Sequence, residues 1–149
     1  MNQESYPLVV PRLIFNRQCG QALELYREVF GATVKEKLLF SEADPRDFQY
    51  KNKEDKDLIY YALMMIGTHQ IMLHDDNNRM LINGEAGKPA ASTALCVSFD
   101  SEEKARDAYQ KLSDGATILM PVTSTTFGSF HTTLIDKFGI VWDLYFGSP

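Results

Sequence analysis

The sequence predicts an α+β protein: two tandem β-α-β-β-β modules whose curved mixed sheets surround a cleft. Three observations carry this reading. Ala22, Leu25, Tyr26 and Val29 recur at i, i+3, i+4, i+7, and so do Ala105, Ala108, Tyr109 and Leu112, which is the spacing of one helix face. Each grid is followed by the same tripeptide, Gly31-Ala32-Thr33 and Gly115-Ala116-Thr117, with the tyrosines 83 residues apart and the glycines 84. Short β-branched and apolar runs flank each grid and are bounded by turn residues, the pattern of strands. The repeat is too long for a solenoid unit and too short for two independent cores. It therefore reads as one domain over residues 1–149: module one at about 6–76, a linker at 77–91 and module two at about 92–149.

The elements follow in order. Leu8 to Phe15 is an apolar run read as a strand, with Pro11 confining it to an edge or a bulge. The first helix runs through Phe30 and stops at Gly31, a favourable C′ residue. Thr33 to Phe40 is a second strand. Ser41 to Asp57 is polar, carries the Asp44-Pro45 turn signal and reads as a solvated loop. Leu58 to Ile66 and Gln70 to His74 are strands three and four around Gly67-Thr68. Thr93 to Phe99 opens module two, and Asp100 and Glu103 have capping-box spacing before the second helix. Thr117 to Val122 is a strand, and Thr123-Ser124-Thr125-Thr126 a hairpin connection. Phe130 to Asp136 and Ile140 to Phe146 form a final hairpin around Lys137-Phe138-Gly139. Each helix is expected to bury Tyr26 or Tyr109 against its own sheet, and Trp142 to pack beneath the helix of its module.

Composition narrows the function. The apolar fraction is 44% and the charged fraction 23%, ordinary for a globular chain. The net charge of −5 comes with scattered cations, which argues against nucleic-acid binding or an anionic membrane surface. No stretch has the ~18 apolar residues of a membrane span. Met1-Asn2-Gln3-Glu4-Ser5 lacks the basic and apolar regions of a signal peptide. Cys19 and Cys96 form no framework or Cys-x-x-Cys and read as reduced thiols of a cytoplasmic protein.

Specific words add a resemblance. Phe15-Asn16 through Cys19 leads into Leu25-Tyr26 and Val29-Phe30-Gly31. Thr126-Phe127-Gly128, Asp136-Lys137-Phe138-Gly139 and Trp142 follow later. In this order they resemble the vicinal oxygen chelate superfamily of glyoxalase I, extradiol dioxygenases and bleomycin and fosfomycin resistance proteins, and within it the PhnB-like group. The resemblance implies a homodimer and a glyoxalase-like fold. PhnB-like sequences have also been called ubiquinone methyltransferases, but this chain has no Gly-rich strand-to-helix loop for a methyl-donor nucleoside.

Enzymes of the superfamily hold a divalent metal with His, Gln or Glu from the first and last strand of each module. The resemblance carries those positions onto Pro11, Met72 (with His74 two residues on), Thr93 and Asp143. Pro11 has no donor, Met72 a soft one and Thr93 a poor one, so only Asp143 and His74 suit such a metal. The expectation is a cleft with no resident metal or other cofactor, binding a small molecule. A metal-dependent isomerase, lyase or dioxygenase with an atypical shell is the alternative. The expected ligand-binding residues are Pro11, Leu13, Phe15, Met72, His74, Thr93, Phe127, Asp143 and Tyr145. Pro11, Leu13 and Phe15 are expected on one cleft-facing side of strand one, and Asp143 as the principal polar anchor. His131, in an alternating strand, faces either cleft or solvent.

Overall fold

Strands β1 (Arg12–Phe15), β2 (Thr33–Leu39), β3 (Ile59–Ile66) and β4 (His69–Asp75) form one sheet in the order β1-β4-β3-β2. Strands β5 (Leu95–Phe99), β6 (Thr117–Thr125), β7 (Gly128–Ile135) and β8 (Val141–Phe146) repeat that order as β5-β8-β7-β6. Helix α1 (Cys19–Phe30) follows β1, and α2 (Glu102–Leu112) follows β5. The computed structural model describes residues 8–76, 93–126 and 128–147, so the expected linker and Phe127 lie outside the described residues. In each sheet the opening strand pairs in parallel with the last, and the other pairs are antiparallel. The doubled β-α-β-β-β reading holds, and no strand of one sheet hydrogen-bonds to the other.

The modules are joined through their helices. α1 packs on α2, and the helix-side residues of both sheets enter one core, from Leu13, Leu73 and Met64 to Leu134, Trp142 and Leu144. The face of each sheet that carries no helix is turned away from that core. Tyr26 is fully buried and packs on Phe15 of its own sheet, ring centroids 6.4 Å apart, but it also reaches into the other module. Its ring meets Trp142 of module two edge-on at 5.2 Å, and its hydroxyl donates to Asp136 Oδ2 at 2.6 Å. Trp142 likewise packs on Tyr26 and Phe30 of α1, outside its own module. Tyr109 does keep to its own sheet, edge-on to Phe130.

Local chemistry sets the ends of the elements. Gly31, at φ 64°, closes α1 in the left-handed region, where only glycine is unstrained. α2 is capped by Ser101, whose Oγ accepts from the Lys104 N–H at 3.1 Å. The cap thus falls one residue after Asp100, which instead pairs with the Lys104 ammonium at 3.0 Å. Buried Asp75 accepts from the N–H groups of Cys19 and Ile59, both at 2.9 Å. It fastens the start of α1 to the start of β3, and burial pushes its carboxyl up.

Two segments differ from expectation. The 41–57 loop is anchored by an aromatic cluster, with Phe40 edge-on to Phe48 at 4.7 Å and Phe48 stacked on Tyr60 at 5.1 Å. Apolar burial therefore organises a stretch whose composition reads as solvated. β6 continues through Thr123-Ser124-Thr125, because shifts in its pairing with β7 absorb the extra residues. Those three residues are strand, not hairpin connection.

Candidate functional site

Residues paired across neighbouring strands share a face. In module one, Met72 is paired with Arg12 and Leu63, and His74 with Ile14. In module two, Asp143 is paired with Cys96 and Thr133, and Tyr145 with Ser98 and His131. These sets form the helix-free faces, and the two correspond. Met72 holds the place of Asp143, His74 that of Tyr145, and Arg12 that of Cys96.

This register corrects three expected site residues, Leu13, Phe15 and Thr93, and places Pro11 just before its strand. Leu13 and Phe15 pair with Leu73 and Asp75 and lie in the core, with Phe15 only 1% exposed. They have the opposite parity to the open face, which β1 serves with Arg12 and Ile14. Pro11 precedes β1, where its carbonyl accepts from the Met72 N–H at 2.9 Å. Thr93 is exposed and precedes β5, and Cys96 occupies the position beside Asp143. Met72, Asp143 and Tyr145 lie on helix-free faces, the first on sheet one and the others on sheet two; His74 shares the face of Met72 but is buried, 7% exposed.

A hydrogen-bonded chain crosses the open face of the second sheet, with residues from all four strands. On β8, Asp143 Oδ1 accepts from Thr133 Oγ1 at 2.6 Å and from His131 Nε2 at 2.8 Å. On β5, Cys96 Sγ lies 3.7 Å from Asp143 Oδ2. On β6, Thr125 Oγ1 meets His131 Nδ1 at 3.0 Å. Tyr145 stands edge-on to the His131 ring at 5.9 Å. Partial burial, then the Asp143 charge, holds the Cys96 thiol above its ordinary range, so it is a protonated donor rather than a ready thiolate. His131 thus faces the polar cluster. Thr125, Thr133 and Cys96 were missed in the sequence, although the alternation of Phe130, Thr132 and Leu134 with His131 and Thr133 signalled two faces on β7.

At the junction of the modules a groove of about 1290 Å³ runs along the free edge of β5. Its apolar walls include Val9, Pro11, Phe30, Ile66 and Trp142; Gln70, Cys96, Ser98 and Tyr145 supply polar groups. Of the expected site residues it brings together Pro11 and Tyr145. It reaches the Asp143 chain through Cys96 and Tyr145. The corresponding row of sheet one is Arg12, Met72 and Leu63, with no carboxylate in it.

The donors present do not suit a divalent metal. The opening-strand positions of the corresponding rows are Arg12 and Cys96, the first a cation with no donor pair and the second a thiol turned onto the Asp143 carboxylate, and Met72 offers only a thioether. Asp143 already accepts from three neighbours. His74 lies on the other sheet with Nδ1 donating to the Asp75 carbonyl at 2.8 Å. Among the described residues no group of three His, Cys, Asp or Glu side chains is arranged to hold a metal ion.

Paired β-α-β-β-β modules with parallel first and last strands define the class as a glyoxalase-type fold. A profile of the Glyoxalase/Bleomycin resistance protein/Dioxygenase superfamily matches residues 9–144, and the chain belongs to that superfamily. Among solved structures it is similar to protein PA1353 from Pseudomonas aeruginosa, at 22% identity, TM-score 0.80, over 97% of this chain and 100% of that one. It is also similar to a PhnB protein from Bacillus cereus, described as a candidate 3-demethylubiquinone-9 3-methyltransferase, at 20% identity, TM-score 0.76, over 95% and 100%. The genomically encoded fosfomycin resistance protein FosX from Listeria monocytogenes shares 12% identity, TM-score 0.62, over 97% and 96%. At these identities the likeness concerns the fold. No curated protein sequence matches the chain. No helix among the described residues is long and apolar enough to cross a membrane.

Proposed function

We propose that this chain is a PhnB-like small-molecule binding protein of the cytoplasm, acting as a homodimer and without a resident metal. The observation that carries the reading is the junction groove, whose apolar walls are joined by polar groups from both modules, His69 and Gln70 from one and Cys96, Ser98, Asp100, Lys104 and Tyr145 from the other; apolar walls with placed polar groups are the usual make-up of a small-molecule site. Tyr145, Cys96 and Ser98 face a ligand there, with the Asp143 chain behind them. Such a site suits a molecule with an apolar body and a hydrogen-bonding head. The fold hosts several chemistries and does not choose among them. The methyltransferase description of the Bacillus cereus protein is not carried over.

The homodimer rests on the family and on surfaces that one chain leaves bare. On β6, outside the groove, Ile118 is 38% exposed and Leu119 52%. The free, reduced Cys19 and Cys96 suit a reducing compartment.

The test is a thermal-shift screen of small molecules, with and without Zn²⁺, Mn²⁺, Ni²⁺ and Fe²⁺, since anything binding the native state raises Tm by mass action. An organic ligand that raises Tm without metal, and loses its effect in Ser98→Trp, supports the reading. Stabilisation by metal alone, with stoichiometric metal retained through dialysis, overturns it in favour of a metal-dependent enzyme.

A further inference from the structure

We propose that Thr125, His131 and Asp143 form a hydroxyl–imidazole–carboxylate relay that makes Thr125 an acyl-accepting nucleophile. This goes beyond ligand binding in the groove and does not depend on it. The connectivity comes from three adjacent strands, β6, β7 and β8, brought into register, and the hydrogen bonds fix its direction.

An ionised carboxylate only accepts, so the 2.8 Å contact of Asp143 Oδ1 with His131 Nε2 places a proton on Nε2. In the neutral ring, Nδ1 then presents its lone pair to the Thr125 hydroxyl 3.0 Å away. Thr133 Oγ1 and Cys96 Sγ complete the carboxylate's bonding, so Asp143 has no reason to swing away from the imidazole. The His131 side chain is 12% exposed and that of Asp143 21%, and Thr125 is half-buried. The base is thus largely withdrawn from water but open to the sheet face. A nucleophile bonded to a base, with the base oriented by a third group, is the recurring arrangement of covalent acyl transfer. It is defined by geometry and not by fold.

The substrate class is an activated ester of a small carboxylic acid. As Thr125 Oγ1 attacks the acyl carbon, its proton passes to His131 Nδ1. A C–O bond forms to Thr125, and the C–O bond to the leaving alcohol breaks. The departing oxygen takes the proton back from Nδ1. Water then attacks the threonyl ester with Nδ1 as base, which returns the Thr125 hydroxyl and releases the acid. No oxidant, reductant or metal enters the balance. Thr125 and His131 are the catalytic residues, and Asp143 is a positioning residue acting through His131.

The probe is p-nitrophenyl acetate with the intact chain, read by p-nitrophenol release and by peptide mapping of the quenched protein. The expected result is one acetyl group on the peptide containing Thr125. Thr125→Ser keeps the label, while Thr125→Val, which preserves shape, loses it. His131→Gln keeps polar contacts but no base and lowers the rate on the order of 10²-fold. Asp143→Ala lowers it too, and so does Asp143→Asn, because an amide can donate to Nε2 and no longer fixes the tautomer; a merely structural role would spare the Asn variant when its Tm matches the wild type. Mapping on the wild-type protein needs no variant to fold. Acetylation confined to lysines, or a Thr125 peptide that stays unlabelled, overturns the proposal and leaves the groove reading standing.

Discussion

Tyr26 of the first module donates its hydroxyl to Asp136 Oδ2 of the second at 2.6 Å, and Trp142 Nε1 donates to the same oxygen at 2.9 Å. The other oxygen, Oδ1, accepts from the Phe138 and Ile140 N–H groups at 2.9 and 3.1 Å. One carboxylate, 3% exposed, therefore shapes the β7–β8 turn and clamps that turn to α1. This bond, with the aromatic packing around it, couples the two halves into one core.

Removing the clamp has a definite cost. Tyr26→Phe keeps the ring and deletes the donor, which leaves a buried carboxylate with one partner fewer. The expected loss is about 1–3 kcal/mol, read as a lower midpoint in urea at unchanged slope.

The same residue predicts alkaline behaviour. Burial, and then the Asp136 charge, push the Tyr26 hydroxyl far above its ordinary value of 10.0. A group raised in the folded state stabilises it fully below the unfolded value, and that contribution is lost as pH rises toward the folded value. Cys19 is raised from 9.0 by burial and adds to the same trend. Tm should therefore decline from about pH 9 upward. The Tyr26→Phe variant, although less stable at neutral pH, should decline less steeply above about pH 10. Parallel curves for wild type and variant would count against the buried hydroxyl.

Much of the architecture was readable because it repeats. The Tyr26 and Tyr109 grids, each closed by glycine, located both helices, and alternation located the strands. The core position of Tyr26 was readable, but its cross-module partner was not, since nothing local distinguishes it from Tyr109. Asp143 and Tyr145 share the helix-free face of β8, as alternation predicts. Leu13 and Phe15 lie on the face opposite to the one expected, because Pro11 was used as the phase reference while the paired strand begins at Arg12, one residue on. The Thr125–His131 bond depends on register shifts between β6 and β7, and a one-residue slip exchanges faces. Such shifts leave no trace in composition.

Gly128 tests the packing of the final hairpin. A Cβ there would run into the backbone carbonyl of Phe146 on the adjoining strand β8. Backbone cannot rotate away as a flexible side chain can. Gly128→Ala should therefore destabilise by about 3 kcal/mol, the upper end for overpacking, and disturb β7 where it leads into His131. Gly67→Asn, at a left-handed turn position with open space around it, should be tolerated within about 1 kcal/mol. Chemical denaturation of both variants checks the contrast, and equal effects would mean that the β7–β8 spacing relaxes freely.

The two thiols should separate cleanly by reactivity. Cys19 is fully buried and Cys96 exposed. An aromatic disulfide reagent should titrate one thiol in the native protein and two after unfolding. Cys96 should react more slowly than a free cysteine near neutral pH, because partial burial and then Asp143 hold it protonated and the thiolate is the reactive form. Asp143→Asn removes the charge and should speed the reaction several-fold, whereas an unchanged rate would show that the carboxylate does not act on the thiol.

Asp143 itself carries the last prediction. Its three hydrogen bonds make it the hub of the open face and not a bare acid awaiting a ligand. Asp143→Ala should therefore act twice. It strands the His131 Nε2–H and the Thr133 hydroxyl in a half-buried setting, at a cost of about 1–2 kcal/mol in stability. It also loosens the surface behind Tyr145 and Cys96, and should weaken the best ligand from the thermal-shift screen by about 1–3 kcal/mol. Thr133→Val removes one donor and leaves the carboxylate, so it should cost stability with little loss of affinity. Calorimetric titration of the three proteins with that ligand separates the contributions. If Asp143→Ala and wild type bind equally while differing in Tm, Asp143 holds the sheet together and the ligand rests on the groove walls alone.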